Sequence, residues 1–170
     1  MQTATSELET PVRQSVRVRA SAERAFRVYT EEFDSWWPRS HNIGSAPIDR
    51  TIIEGRVGGR CYGMQTDGLE CPWATILEWD PPRRFVMAWQ INPDWKYEPD
   101  LSKASEVEVS FTPEHGGYTR VDLVHRYFER HGEGFEKMQT AVNSPGGWPE
   151  LLQLFKRRVD EPEASNAQKD

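Results

Sequence analysis

Histidines and cysteines are the residues best suited to chemistry in this chain, so their spacing sets the first limits. His125 follows Val121 and Leu123 at alternate positions, with Tyr127 two residues on. That period turns its imidazole toward the apolar face of a strand. A buried imidazole titrating near neutral pH can serve as a general base, but it is more commonly a hydrogen-bonded core residue. The pattern supplies no acid or base partner for it. His41 lies in Pro38-Arg-Ser-His-Asn-Ile-Gly44, where it either meets a polar ligand group or caps a loop. His115 and His131 sit beside turns and are expected to be solvated. No Cys-x-x-Cys, His-x-x-x-His or His-Glu-x-x-His occurs, so no metal site is predicted. No Ser stands in a Gly-x-Ser-x-Gly elbow. Gly55-Arg-Val-Gly-Gly59 lacks the Gly-Lys-Ser/Thr ending of a phosphate loop, and its glycines suit sheet curvature better. Catalytic residues thus stay unassigned, and no cofactor is implied.

The aromatic set is the stronger signal. Trp36, Trp37, Trp73, Trp79, Trp89, Trp95 and Trp148 are all tryptophan, seven in 170 residues. Each brings a large apolar area and one N–H to satisfy. Trp89 alternates with Met87, and Trp148 falls on a helical stripe. Such residues either line a ligand cavity or form ordinary core. Trp36 and Trp37 share a turn, where paired indoles have less packing reason, and are expected at a cavity lip. Tyr62 and Tyr97 are the tyrosines best placed to offer a polar group.

These residues need elements to hold them. Val12, Val16 and Val18 suggest a first strand. Ser21 reads as an N-cap for a helix carrying Ala22, Ala25, Phe26, Tyr29 and Phe33. Asp34-Ser-Trp-Trp-Pro38 closes it as a short aromatic turn. Strand patterns then run through Thr51–Glu54, Cys61–Gln65, Leu69–Trp79, Phe85–Ile91, Val107–Phe111 and Val121–Tyr127. Their one-sided alternation predicts an antiparallel sheet with one covered face. Asp67-Gly68 predicts a two-residue hairpin loop, with Thr66 opposite Leu69, Met64 opposite Cys71 and Cys61 opposite Ala74. That register separates Cys61 from Cys71 and predicts no disulfide. Residues 92–103 form a long loop. Phe135, Met138 and Val142 begin a helical stripe, and Ser144-Pro145 reads as the start of the next helix. Trp148, Leu151, Leu152, Phe155 and Val159 recur at spacings of three and four, which places them on one face of a final helix. Residues 1–11 and 161–170 are polar and expected to be flexible around a single domain of 12–160.

Composition narrows the function classes. Charged residues make 28% of the chain and apolar ones 36%, as in a globular domain. A formal net charge of −6 argues against nucleic acid and anionic membranes as partners. No run of eighteen apolar residues exists to span a membrane. The N-terminal residues lack the apolar centre of a signal peptide, so the cytoplasm is expected. A homodimer is left open.

Three stretches resemble one family. They are Gly58-Gly-Arg60 opening a strand, Ala74-Thr-Ile-Leu-Glu-Trp-Asp-Pro-Pro82 leading into Arg84-Phe-Val-Met-Ala-Trp89, and Gly146-Gly-Trp148 opening the last helix. With the element order, they resemble the START-like (SRPBCC) helix-grip superfamily, and within it the homologues of the heat-shock-chaperone ATPase activator. The resemblance implies an α+β helix-grip fold. Its curved antiparallel sheet of six or seven strands wraps a long C-terminal helix, with two short helices after the first strand. It also implies a cavity between that helix and the sheet for a small, mostly apolar ligand. The expected lining is Trp36, Trp37, His41, Tyr62, Met87, Trp89, Trp95, Tyr97, Phe111, His125, Trp148, Leu152 and Phe155, with an enclosed pocket near the lower end of about 300–1,000 Å³. Two other readings follow from the same resemblance. One is an enzyme of cyclase or dehydratase type using that cavity. The other is an interaction module that stimulates the chaperone ATPase, although the separate Asn- and Trp-motif domain of the fuller activators has no counterpart before Val12.

Overall fold

Strand β1 (Val12–Val18) turns Val12, Val16 and Val18 inward and Arg13, Ser15 and Arg17 outward, as the valine spacing predicts. The computed structural model describes residues 10–161. Most of both expected flexible ends therefore lies outside the described residues. Helix α1 (Ala22–Thr30) starts at Ser21, whose hydroxyl accepts from the Arg24 N–H at 3.1 Å. A single helical turn, α2 (Phe33–Trp36), follows where the aromatic turn was expected.

Six more strands complete the sheet: β2 (Ile48–Ile53), β3 (Arg60–Gln65), β4 (Glu70–Asp80), β5 (Arg84–Trp89), β6 (Ser105–Glu114) and β7 (Tyr118–Arg126). Their order is β1-β7-β6-β5-β4-β3-β2, all antiparallel, and the sheet curls into half a barrel. Tyr127 does not continue the last strand's inner face. It takes a left-handed backbone (φ 66°) and is 38% exposed, so the alternation stops at His125.

The β3–β4 hairpin departs from the expected register. Gln65 N–H donates to the Leu69 carbonyl at 2.9 Å, which leaves three loop residues, Thr66, Asp67 and Gly68. Gly68 supplies the positive φ, 88°, that this turn needs. Cys71 therefore faces Gly63, not Met64. A bulge at Trp73 then removes the offset, so Cys61 still faces Ala74. Pro72 has no N–H for the ladder, so the irregularity falls where pairing is already weakened. A second shift between Ile76 and Glu78 bends the same strand again. The first bulge decides the site, because it leaves Cys71 and Trp73 on the inner face.

Helix α3 (Phe135–Asn143) is followed by α4 (Trp148–Asp160). Ser144 closes α3 by donating its hydroxyl to the Ala141 carbonyl at 2.6 Å, and Gly147 stands at the N-cap of α4. The expected helix start at Ser144-Pro145 is thus corrected by three residues, from a cap at Ser144 to one at Gly147. The α4 stripe is buried as predicted, with Trp148, Leu151, Leu152, Phe155 and Val159 at 0–3% exposure. These side chains pack directly against aromatic rings from the helices that follow β1. Tyr29 and Trp36 pack on Phe155 at ring distances of 5.0 and 5.4 Å, and Phe26 packs on Phe111 at 5.1 Å. Aromatic side chains of α1 and α2 occupy the space the sequence reading left for a ligand. Among the described residues, no helix is long and apolar enough to cross a membrane.

Candidate ligand-binding cleft

The cavity of interest lies beyond the N-terminal end of α4, where β2–β5 meet the segment after α2. Its volume is about 440 Å³ and it opens to solvent on one side. It is lined by Trp37, Ser40, His41, Asn42, Ile43, Gly44, Ile48, Thr51, Gly63, Cys71, Trp73, Trp89, Ile91 and Trp95. Trp37 and Trp73 stack nearly parallel, at 5.5 Å and 9°. Trp89 meets Trp73 edge-on at 5.7 Å and 71°. Indoles in these arrangements satisfy one another's quadrupoles and form a rigid apolar wall.

Each wall residue is held from behind. Asp34 of α2 accepts the Thr51 N–H at 2.8 Å and pairs with Arg39 at 2.9 Å, which anchors the turn carrying Trp37 onto β2. The next loop is shaped by Asn42, which accepts from Gly44 N–H at 2.7 Å and donates to the Ala46 carbonyl at 2.8 Å. Gln65 accepts from Ser45 N–H at 3.1 Å, tying the loop to β3. A Cβ at Gly44 would stand 2.0 Å from Gln65 Oε1, so a side chain there would push the Gln65 amide away from the Ser45 N–H. On the far rim, Asn92 accepts from the backbone N–H of Asp94 and Lys96 at 2.9 and 3.0 Å. That turn holds Trp95 in a left-handed backbone (φ 62°), 47% exposed over the opening. A bulky residue in this conformation is strained, and such strain clusters at functional sites.

Polar groups collect at the rim. His41 is exposed there with its ring 5.7 Å from Trp37, and Ser40 is exposed beside it. Burial pushes the Cys71 thiol above its ordinary pKa, so it stays protonated near neutrality. The Trp89 indole N–H is buried without a hydrogen-bond partner among the described residues.

Behind Trp89 runs a chain of polar side chains. Trp148 Nε1 donates to His125 Nδ1 at 3.1 Å, and Ser105 Oγ lies 2.8 Å from both His125 Nε2 and His131 Nε2. His125 thus has the partners its strand pattern did not reveal. His131, expected to be solvated, is only partly exposed and belongs to the same chain. Burial pushes both imidazoles below their ordinary pKa, and the charge of His131 adds to the effect at His125.

Of the residues expected to line a cavity, the structure brings Trp37, His41, Trp89 and Trp95 together here. Met87, Phe111, Leu152 and Phe155 lie in the packed core beneath α4, at 0–2% exposure. Trp36 is core as well, its N–H donating to the Val28 carbonyl at 3.1 Å. Trp148 and His125 stand behind the wall. Tyr62 faces the other side of the sheet, where Arg60 stacks on its ring at 4.5 Å. Tyr97 pairs with Ile91 beside the Trp95 turn, outside the lining. Trp73, one of the tryptophans expected to be cavity wall or core, and Cys71 join the lining although neither was in the expected set, because their inward orientation depends on the hairpin register. Among the described residues, no group of three or more His, Cys, Asp or Glu is arranged to hold a metal ion.

The family profile described as Activator of Hsp90 ATPase homolog 1-like protein matches residues 19–160. The chain belongs to that family. Among solved structures, this Hsp90-activator-like chain is similar to an anthrahydroquino-γ-pyrone synthase, Txn09, at 42% identity and a TM-score of 0.62, covering 88% of this chain and 97% of that one. It is also similar to CalC, a self-sacrificing resistance protein from Micromonospora echinospora, at 27% identity, a TM-score of 0.62 and coverage of 90% and 96%. Protein NE0264 from Nitrosomonas europaea shares the fold, at 15% identity, a TM-score of 0.62 and coverage of 88% and 93%. No curated protein sequence matches the chain significantly.

Proposed function

We propose that the cleft binds a flat, mostly apolar ring system of the aromatic polyketide class. The observation that carries this reading is the Trp37–Trp73 stack with Trp89 set edge-on beside it. A planar ring gains most from contact with indole faces, and carbonyl or hydroxyl groups along one edge can meet His41 and Ser40 at the rim. The volume, about 440 Å³, falls in the range of small-molecule pockets. The 42% identity to an anthrahydroquino-γ-pyrone synthase adds support, since an anthrahydroquinone joined to a γ-pyrone is a fused-ring system. A hydroxyanthraquinone titrated into the protein is expected to quench tryptophan emission at one saturable site. Trp37→Ala is expected to weaken that binding about tenfold or more, as for loss of a stacked aromatic contact with its area, while Gln153→Ala leaves it unchanged. Linear, non-saturating quenching, or equal affinity in both variants, overturns the reading.

The same identity favours a second reading, in which the bound molecule undergoes ring closure. Closing a pyrone ring moves protons between oxygen and carbon, which an imidazole near neutral pH can relay. His41 carries the imidazole on the cleft lining, and its two ring nitrogens let one side chain accept a proton and donate another. His41→Ala is expected to abolish turnover of an open-chain precursor while weakening hydroxyanthraquinone binding by no more than about tenfold, as for one lost hydrogen bond; turnover that survives the change removes His41 from the reaction.

A further inference from the structure

While both histidines are neutral, one set of proton positions pairs every contact in the polar chain from Trp148 to His131 Nε2. An indole nitrogen can only donate, so Trp148 Nε1–H gives its proton to His125 Nδ1 at 3.1 Å. The proton of neutral His125 then sits on Nε2 and points at Ser105 Oγ, 2.8 Å away. Ser105 has one proton of its own, which it donates to His131 Nε2 at 2.8 Å. His131 then carries its proton on Nδ1, which is buried without a hydrogen-bond partner among the described residues. Each link is fixed by the one before it, from the first residue of α4 to the turn Phe128–His131 after β7.

We propose that His131 is a pH-sensitive positioning residue for the cleft, acting through Ser105 and His125 on Trp148. A second proton on His131 must go to Nε2, and that nitrogen then donates to Ser105 instead of accepting. Ser105 now faces two N–H groups and its own proton loses its acceptor. The alternative moves the His125 proton from Nε2 to Nδ1, which sets two N–H donors against each other at the 3.1 Å contact with Trp148. Either arrangement adds a further unpaired donor, now around Ser105 and His125, both fully buried. Trp148 touches two walls of the cleft, Trp89 at 5.7 Å and Trp37 at 6.2 Å. The consequence of protonation is a loosened wall.

The surroundings do not offset the added charge. Lys103 is on the turn before β6, Glu106 on β6 and Arg126 on β7. Glu129 and Arg130 are on the same turn as His131, and Glu136 and Lys137 on α3. Glu106 is engaged by Arg126 at 3.1 Å and by Arg130 at 3.2 Å. The backbone of Lys103 favours the charged ring, but burial outweighs it and holds His131 below its ordinary pKa. His125 is bordered by Trp89, Phe128 and Trp148, which carry no charge. The ordered chain is therefore complete above the ordinary histidine pKa of about 6.5 and is lost as pH falls through the lower folded value.

The relay stands on its own geometry; its bearing on a ligand rests on the proposed cleft. The test is an NMR titration of protein labelled with ¹⁵N at tryptophan, from pH 7.5 to 4.5, following the indole N–H of Trp148 assigned through its backbone. In the natural protein that resonance is expected to shift and exchange faster with water as pH falls, while backbone amides of the sheet stay in place. His131→Gln keeps an acceptor for Ser105 and cannot take the proton, and its Trp148 resonance is expected to stay fixed. An unmoved resonance in the natural protein, or equal movement in His131→Gln, overturns the proposal. Hydroxyanthraquinone affinity forms a separate arm, expected to weaken several-fold more between pH 7.5 and 5.0 in the natural protein than in His131→Gln. No binding at either pH, beside a His131-dependent resonance shift, removes the cleft reading and leaves the relay standing.

Discussion

At the scale of single residues, the two cysteines report on the cleft. Cys61 is fully buried and Cys71 lines the cavity, and neither is in a disulfide. Cys71 faces Gly63, so the two cysteines are diagonal neighbours on adjacent strands. Such positions lie about 7–8 Å apart, at or beyond the reach of a bridge. Burial pushes both thiols above their ordinary pKa, which slows alkylation. We expect alkylation of the native protein to modify Cys71 first and Cys61 only after denaturation, with two free thiols counted in the unfolded, unreduced protein. Hydroxyanthraquinone should slow the first reaction. A count of zero, read by mass spectrometry, contradicts the strand register.

The elements divide the work between anchoring and access. Helix α4 is an anchor, since Phe155 packs on Tyr29 and Trp36 and is fully buried, whereas Gln153 is exposed on the opposite face. Phe155→Ala is expected to cost about 3–5 kcal/mol and Gln153→Ala less than about 0.5 kcal/mol, read from urea midpoints. Comparable midpoints would contradict the helix orientation. Helix α1 depends on its cap, so Ser21→Ala is expected to cost about 1 kcal/mol through the lost bond to Arg24 N–H. Access belongs to the segments at the rim, the loop after Trp37 and the turn carrying Trp95, which lie outside the strands and helices.

For the molecule as a whole, acid stability should fall in two stages. On the outer face of the sheet, Glu78, Arg84, Glu108, Arg126 and Glu106 link β4, β5, β6 and β7 through contacts of 2.6–3.1 Å. Burial alone would raise the Glu108 carboxyl, but hydrogen bonds from Arg126 and Arg84 outweigh it and hold the pKa below the ordinary value. A depressed carboxylate contributes stability above its unfolded pKa, about 4.3 for Glu, and loses it as pH falls through the folded value. The buried histidines act earlier. Their neutral forms are favoured by the fold, so their contribution is complete above about 6.5 and declines below it. Urea midpoints measured from pH 7.5 to 3.5 should decline first as pH falls below about 6.5 and again below about 4.3. His131→Gln is expected to reduce only the upper stage and Glu108→Gln only the lower; a single transition unaffected by His131→Gln contradicts the first assignment.

Local periodicity determined the elements. Val12, Val16 and Val18, the Ser21 cap, Phe85 alternating with Met87 and Trp89, and the Trp148–Val159 stripe each state which face turns inward, because pleat and helix pitch fix that geometry residue by residue. From those faces follow the antiparallel sheet, the helix across it and the exposed polar surface. The cleft depended on what periodicity does not encode. One extra loop residue, Thr66, and one bulge at Trp73 decided that Cys71 and Trp73 turn inward, and both depend on pairing between strands rather than on either strand alone. The volume under α4 was filled by Phe26, Tyr29 and Trp36 from helices early in the chain, so the cavity is displaced to the sheet's other end. Likewise His131 looked solvated in sequence because it follows a turn, and only the folded chain brings Ser105 between it and His125. Side-chain direction within an element is local information, whereas cavities and hydrogen-bond chains form between elements, and only tertiary packing places those elements against one another.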